Sequence, residues 1–119
     1  MEPRQIPFEK LPLEELTDKV ARRYVYGEEA MLCRFELKKG AHIPLHHHPN
    51  EQITYIVSGA VKVKIQGKEY TVRAGEVLII PMDVPHEFEA LEDTIDIDIF
   101  SPPRQDWLQG TDTYFKKTK

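Results

Sequence analysis

The chain has 119 residues, 30% of them charged, with a formal charge of -4 and a pI near 5.7. That length suits one domain with its own core, and the acidic balance leaves no basic field for nucleic acid or anionic lipid. Apolar runs stop at about four residues, as at 77–80, which excludes a membrane-spanning helix and predicts no signal-peptide core.

Residues 1–20 hold three of the nine prolines and no sustained periodicity. They read as an N-terminal arm, with one helical turn expected at 12–16. From Val20 the pattern is β. Strands are expected at 23–26, stopped by Gly27, and at 30–37, where Met31, Cys33, Phe35 and Leu37 share a face. Cys33 is the only cysteine, so it has no partner for an internal disulfide. It reads as a small core residue, and a reducing cytoplasm is the expected compartment.

A strand at 52–57 closes on Ser58-Gly59. At 61–65, Val61, Val63 and Ile65 alternate with Lys62 and Lys64, the mark of a half-buried strand. Gly67-Lys68 then turns the chain into 69–72, completing a hairpin. The run 77–80 reads as a strand buried on both faces. Pro81 and Pro85 bracket a tight loop that delivers His86, after which His86, Phe88 and Ala90 share a face.

The stretch 94–100 alternates strictly, with Ile95, Ile97 and Ile99 opposite Asp96, Asp98 and Phe100. Alternation alone assigns the isoleucines to the core and both aspartates to water. Beyond Ser101 the periodicity is too weak to place an element. Eight or more short strands, spaced by Gly and Pro turns, predict an all-β fold: a small antiparallel jelly-roll β-barrel. It is expected over 21–108, after the arm 1–20 and before a C-terminal tail 109–119.

Four of the five histidines fall between Gly40 and Gln52, as His42, His46, His47 and His48. On an extended chain His46, His48 and Gln52 have one parity and His47 the other. Three donors then converge from one edge, and His86 supplies a fourth. Three imidazoles and an amide oxygen form a plausible set for a divalent ion: Ni, Fe, Mn, Co or Zn. The competing reading is a polar loop of clustered histidines and a satisfied core histidine at 86. Glu51 rivals Gln52 chemically, since carboxylates bind metals more readily than amides, but parity favours Gln52. An all-neutral set leaves the ion's charge uncompensated, so its open positions favour an anionic ligand such as a carboxylate or enolate.

These segments resemble the two motifs of the cupin family. Gly40, His46, His48, Gln52 and Gly59 match the first, and Gly75, Pro81 and His86 the second, with fifteen residues between Gly59 and Gly75. Asp83 stands where the motif usually has Gly, and Ala90 where Asn is common. Both departures touch turn geometry and not ligands. The resemblance implies an RmlC-like barrel, a metal held by His46, His48, Gln52 and His86, and pairing into a homodimer. His42 lies outside the motif.

A narrower resemblance joins 46–59 with Asp98-Ile-Phe100-Ser-Pro-Pro-Arg104-Gln-Asp-Trp107 and points to the KdgF-type cupins. It implies an enzyme that opens 4,5-unsaturated monouronates to the linear keto acid. Asp98 would be the catalytic acid/base, while Arg104 and Phe100 would hold the substrate, Arg104 also serving catalysis. An arginine fork suits a carboxylate, and a carboxylate beside a metal-bound anion suits proton shuttling. The implied role requires Asp98 to face the metal, against the alternation rule. Arg104 as a solvated loop residue and Trp107 as a tail anchor are the plain alternatives. Two other functions compete: an iron-dependent dioxygenase, and a non-catalytic module that binds a small anion.

Overall fold

A computed structural model describes residues 2–112 and 114–115. Among the described residues ten strands are formed: β1 (Glu14–Glu15), β2 (Val20–Tyr26), β3 (Met31–Leu37), β4 (His42–His46), β5 (Glu51–Ser58), β6 (Ala60–Ile65), β7 (Lys68–Arg73), β8 (Val77–Ile80), β9 (His86–Ala90) and β10 (Thr94–Ser101). A 3-10 turn at Phe8–Lys10 precedes them and a short helix, α1 (Gln105–Leu108), follows. The strands form two antiparallel sheets, ordered β1-β2-β3-β10-β5-β8 and β4-β9-β6-β7. Their inner faces share one core, with Cys33, Phe35, Ile56 and Phe100 from the larger sheet and Ile43, Val61, Val63 and Phe88 from the smaller. This is the small jelly-roll expected from strand count and turn spacing.

Period-2 alternation carries β3 and β6 as expected: Met31, Cys33, Phe35 and Leu37 are all buried, as are Val61 and Val63. The hairpin β6–β7 runs in register from Ala60↔Arg73 to Ile65↔Lys68. Gly59, between β5 and β6, has φ +87°, and a Cβ there would lie 2.3 Å from the Asp93 carbonyl oxygen. Only glycine fits.

Three expectations are corrected. The helical turn at 12–16 is not formed: β1 instead pairs with β2, Glu14 opposite Arg22, and among the described residues the turn of helix in the arm is Phe8–Lys10. The strand β8 is not buried on both faces. It is an edge strand paired only with β5, so Val77 and Ile79 point outward at 53% and 60% exposure while Ile80 is buried.

The third correction concerns β10, where alternation chose the wrong face. Thr94, Asp96, Asp98 and Phe100 are buried, and Ile95, Ile97 and Ile99 point to the outer side of the sheet. Register explains it: Asp96 lies opposite Phe35 and Asp98 opposite Cys33, both inward residues of β3. Antiparallel partners directly opposite share a face, so the central strand must turn its aspartates inward.

Candidate metal centre

The site sits where β5 begins and β10 ends. His46 is the last residue of β4 and is paired with His86, the first of β9. The chain leaves the strand at His47 and re-enters the sheets at Glu51, so His48 reaches the site from a loop and not from strand parity. That loop is held at two points. The Asp83 amide donates to the His48 carbonyl at 2.8 Å, and the Asn50 side-chain amide donates to the Pro102 carbonyl at 2.6 Å. Asp83 has φ +61°. That conformation suits Gly and is tolerated by Asp, which accounts for the departure at this position.

One ring nitrogen from each of His46, His48 and His86 lies within 4.8 Å of the others, a cluster able to hold a metal ion. In each ring Nδ1 is committed to a backbone carbonyl: Pro44 at 2.8 Å, Asn50 at 3.1 Å and Val84 at 2.8 Å. Nδ1 must carry the proton to donate these bonds, which leaves the Nε2 lone pairs free for a cation. His86 Nε2 is buried with no hydrogen-bond partner among the described residues. His48 Nε2 stands 3.0 Å from Gln52 Oε1, while the Gln52 amide nitrogen donates to Thr54 Oγ1 at 3.0 Å. Two lone pairs then face one another with no proton between them. A cation resolves that contact, so these donors fit a transition ion.

Burial, with the neighbouring His86 adding to it, lowers the His46 pKa to about 3. Burial and then Arg104 lower that of His48 to about 4, and burial also lowers that of His86. All three rings are neutral bases at pH 7, as ligation requires. Gln52 is buried beside His48, whereas Glu51 is exposed. His47 is exposed, and His42 pairs with Glu87 at the surface. Neither belongs to the cluster.

Asp98 is 2% exposed and lines the same cavity as His46, Gln52 and His86. Thr54 Oγ1 donates to Asp98 Oδ1 at 2.7 Å. Burial raises the Asp98 pKa, opposed by the adjacent Asp96 carboxyl and the Thr54 hydroxyl. Arg104 is 1% exposed and so not a solvated loop residue. Its fork is bonded to Asp106 at 2.8 and 2.6 Å, and its guanidinium lies 5.0 Å from the Phe100 ring and 4.7 Å from that of Trp107. Trp107 is buried and anchors the segment after β10.

Four participants escaped the sequence reading: Thr54, Asp96, Asp106 and Tyr114. The first two carry a visible signal, being polar residues two positions from Gln52 and Asp98. Tyr114 had none; its ring stacks on His46 at 4.2 Å with planes 8° apart. The cavity it closes has about 10 Å³ of free space, roughly one water. A larger hollow of about 540 Å³ opens near Lys19, Ser58 and Thr94, at the other end of β5 and β10, without such a donor cluster.

The model of the cupin domain matches residues 33–101. The chain belongs to the cupin family. It is 30% identical over 103 residues to the pectin degradation protein KdgF of Dickeya dadantii (strain 3937), covering 84% of this chain and 94% of that protein. Among solved structures it is similar to KdgF from Halomonas sp., with a TM-score of 0.77 and 27% identity over 83% of this chain and 94% of the other. An RmlC-like cupin from Shewanella frigidimarina NCIMB 400 gives a TM-score of 0.79 and 28% identity, over 90% and 96%. The cupin barrel and the KdgF likeness expected from the motifs are thereby established. Among the described residues no helix is long and apolar enough to cross a membrane.

Proposed function

We propose that this cupin opens the ring of 4,5-unsaturated monouronates, yielding the linear keto acid. The observation that carries the reading is the inward Asp98, which shares one cavity with His46, Gln52 and His86. An aspartate there breaks the apolar rule for a barrel interior and needs a reason. Likeness to the pectin degradation protein KdgF supports the substrate class.

In this reading His46, His48, Gln52 and His86 hold a divalent transition ion, with Ni, Fe, Mn, Co and Zn all compatible with the donors. A bound ion would supply positive charge for the substrate's carboxylate and developing enolate oxygen. Ring opening removes the proton of the anomeric hydroxyl, breaks the ring C–O bond and returns a proton to carbon as the enolate becomes a ketone. Asp98 accepts the first proton and donates the second, so no atom is gained or lost. Burial raises the Asp98 pKa from its ordinary value, which suits proton exchange. Arg104 stays cationic: burial opposes its charge, and the hydrogen bonds to Asp106 overcome this. It attracts the sugar acid's carboxylate, and Phe100 presents a ring face beside it.

The test is loss of the conjugated enol absorbance when unsaturated monouronate is added to metal-loaded protein without oxygen. Turnover requires no oxidant in this chemistry, whereas a dioxygenase would stop. Asp98→Ala should abolish turnover and leave metal content unchanged. An active Asp98→Ala variant would remove Asp98 from the mechanism.

We also propose that the protein works as a homodimer in the cytoplasm, where the thiol of Cys33 stays reduced. The outer face of the larger sheet supports the pairing. Val25, Leu32, Ile99, Ile53 and Ile79 form one cross-strand row over β2, β3, β10, β5 and β8. Leu32, Ile99 and Ile79 are 38%, 41% and 60% exposed. Six strands at a spacing of ~4.8 Å make a face about 24 Å wide, of the size a stable interface of ~800 Å² per partner needs.

A further inference from the structure

The inner face of β10 holds a second acid, which the proposed reaction does not use. Asp96 is 0% exposed, and neither of its carboxyl oxygens meets a hydrogen-bond donor among the described residues. Its cross-strand partners are apolar, Phe35 on β3 and Ile56 on β5. The titratable groups near it are Asp98 on its own strand and the buried thiol of Cys33 on β3. From the opposite sheet, the buried residues of β6 and β9 beyond His86 are Val61, Val63, Phe88 and Ala90. Among the described residues no cation pairs with Asp96: Arg22, buried on β2 opposite Phe35, bonds Glu14 and Asp112 instead.

An ionised carboxylate cannot be kept in such a place, and two adjacent carboxylates still less. The neutral acid is stable there on one condition: its hydroxyl needs an acceptor. The neighbouring acceptor is Asp98, which takes the Thr54 hydroxyl at one oxygen and has lone pairs to spare. We infer that Asp96 is a positioning residue, a neutral carboxylic acid that donates a hydrogen bond to Asp98 and fixes that carboxylate below the metal site. The pair divides the labour: Asp96 keeps its proton while Asp98 exchanges one with substrate. Asp98 already accepts the Thr54 hydroxyl while Asp96 has no donor, so the proton rests on Asp96; burial and the neighbouring Asp98 raise the pKa of Asp96 in the same sense.

The inference builds on the acid/base role of Asp98, so its test has one arm that needs no substrate. Infrared spectra of the full-length, metal-loaded protein at pH 7 should contain the C=O stretch of a buried protonated carboxyl. That band should vanish in Asp96→Asn. A wild-type spectrum without the band overturns the inference, and so does a band that survives in Asp96→Asn but disappears in Asp98→Asn.

The second arm is kinetic. Asp96→Asn keeps a neutral donor and should retain kcat within about threefold. Asp96→Leu keeps the volume without the donor and should lower kcat at least tenfold with KM and metal content little changed. Equal losses in the two variants overturn the positioning role. Should Asp96→Leu fail to fold, the Asn variant and the infrared band still decide. Should wild-type protein turn over no uronate, the proposed reaction fails while the infrared arm still tests the acid pair.

Discussion

Thr54 donates its hydroxyl to Asp98 Oδ1 at 2.7 Å and accepts the Gln52 amide at 3.0 Å. One side chain thus joins Asp98 to Gln52, the proposed fourth ligand. Because the Thr54 hydroxyl spends its proton on Asp98, its oxygen can only accept from Gln52. That fixes the amide with NH2 toward Thr54 and the carbonyl oxygen toward His48 Nε2. Thr54→Val removes both bonds at nearly constant shape. It should reduce metal affinity or activity about 10–100-fold, the usual effect of losing a ligand's orienting partner, and Thr54→Ser should restore most of it. Metal titration with a competing chelator reads the first quantity and initial rates the second.

The buried acid pair gives stability a pH dependence of definite sign. Burial and Asp98 raise the folded-state pKa of Asp96 above its ordinary 3.8. The native state therefore holds a proton that the unfolded chain releases above that value. This contribution is fully present below the unfolded pKa and is lost as pH rises toward the folded one. The depressed pKa values of His46 and His48, about 3 and about 4, act in the opposite direction below pH ~6.5. A difference measurement isolates the acid. Asp96→Asn should gain stability relative to wild type as pH rises above about 4, at up to ~1.4 kcal/mol per pH unit. Chemical denaturation of the two metal-free proteins between pH 4 and 7 measures this, and a pH-independent difference would contradict it.

The sequence made the motif residues and most strands legible because they depend on local rules. Alternation identified the inward faces of β3 and β6, and the motif spacing singled out His46, His48 and His86, whose ring nitrogens cluster, and Gln52, whose Oε1 faces His48. Alternation failed on β10 for a nonlocal reason. Its two faces differ by isoleucines and aspartates, so hydropathy selects the isoleucines, whereas register with Cys33 and Phe35 sets the orientation. The isoleucines instead join the outer face of the sheet, where Ile99 is 41% exposed. On β8 the same outer face made an edge strand look like a core strand. Convergence of His46 and His48 was expected for the wrong reason, since a loop pinned by Asp83 and Asn50, not strand parity, delivers His48. Tyr114 lay beyond any local pattern.

Tyr114 stacks on the His46 ring and its hydroxyl lies 3.4 Å from Arg104 Nη2, over a cavity of about 10 Å³. Small-molecule sites are typically ~300–1,000 Å³, so in the proposed reaction the substrate would enter only after this side chain moves. Tyr114→Ala should make the ion more accessible, speeding its extraction by a chelator severalfold. It should also lower KM if displacement of the ring opposes substrate binding. Extraction followed by a metallochromic dye needs no substrate. An unchanged rate would show that Tyr114 does not guard the site.

The outer face of the larger sheet is tested by charge. Ile99 sits at the centre of the apolar row, between Leu32 and Ile53, and Ile79 at its edge beyond Ile53. In a two-fold dimer each substitution enters the interface twice, so one charged residue places two like charges in an apolar contact. Ile99→Lys should shift the protein to monomer in light scattering at micromolar concentration. Because Ile99 is 41% exposed within one chain, the isolated fold tolerates the change, and its circular dichroism should stay native. Leu45 and Met82, each 61% exposed but outside the six-stranded sheet, are controls. Leu45→Lys and Met82→Lys should leave the mass unchanged. If Ile99→Lys scatters like wild type, the copies meet elsewhere or not at all.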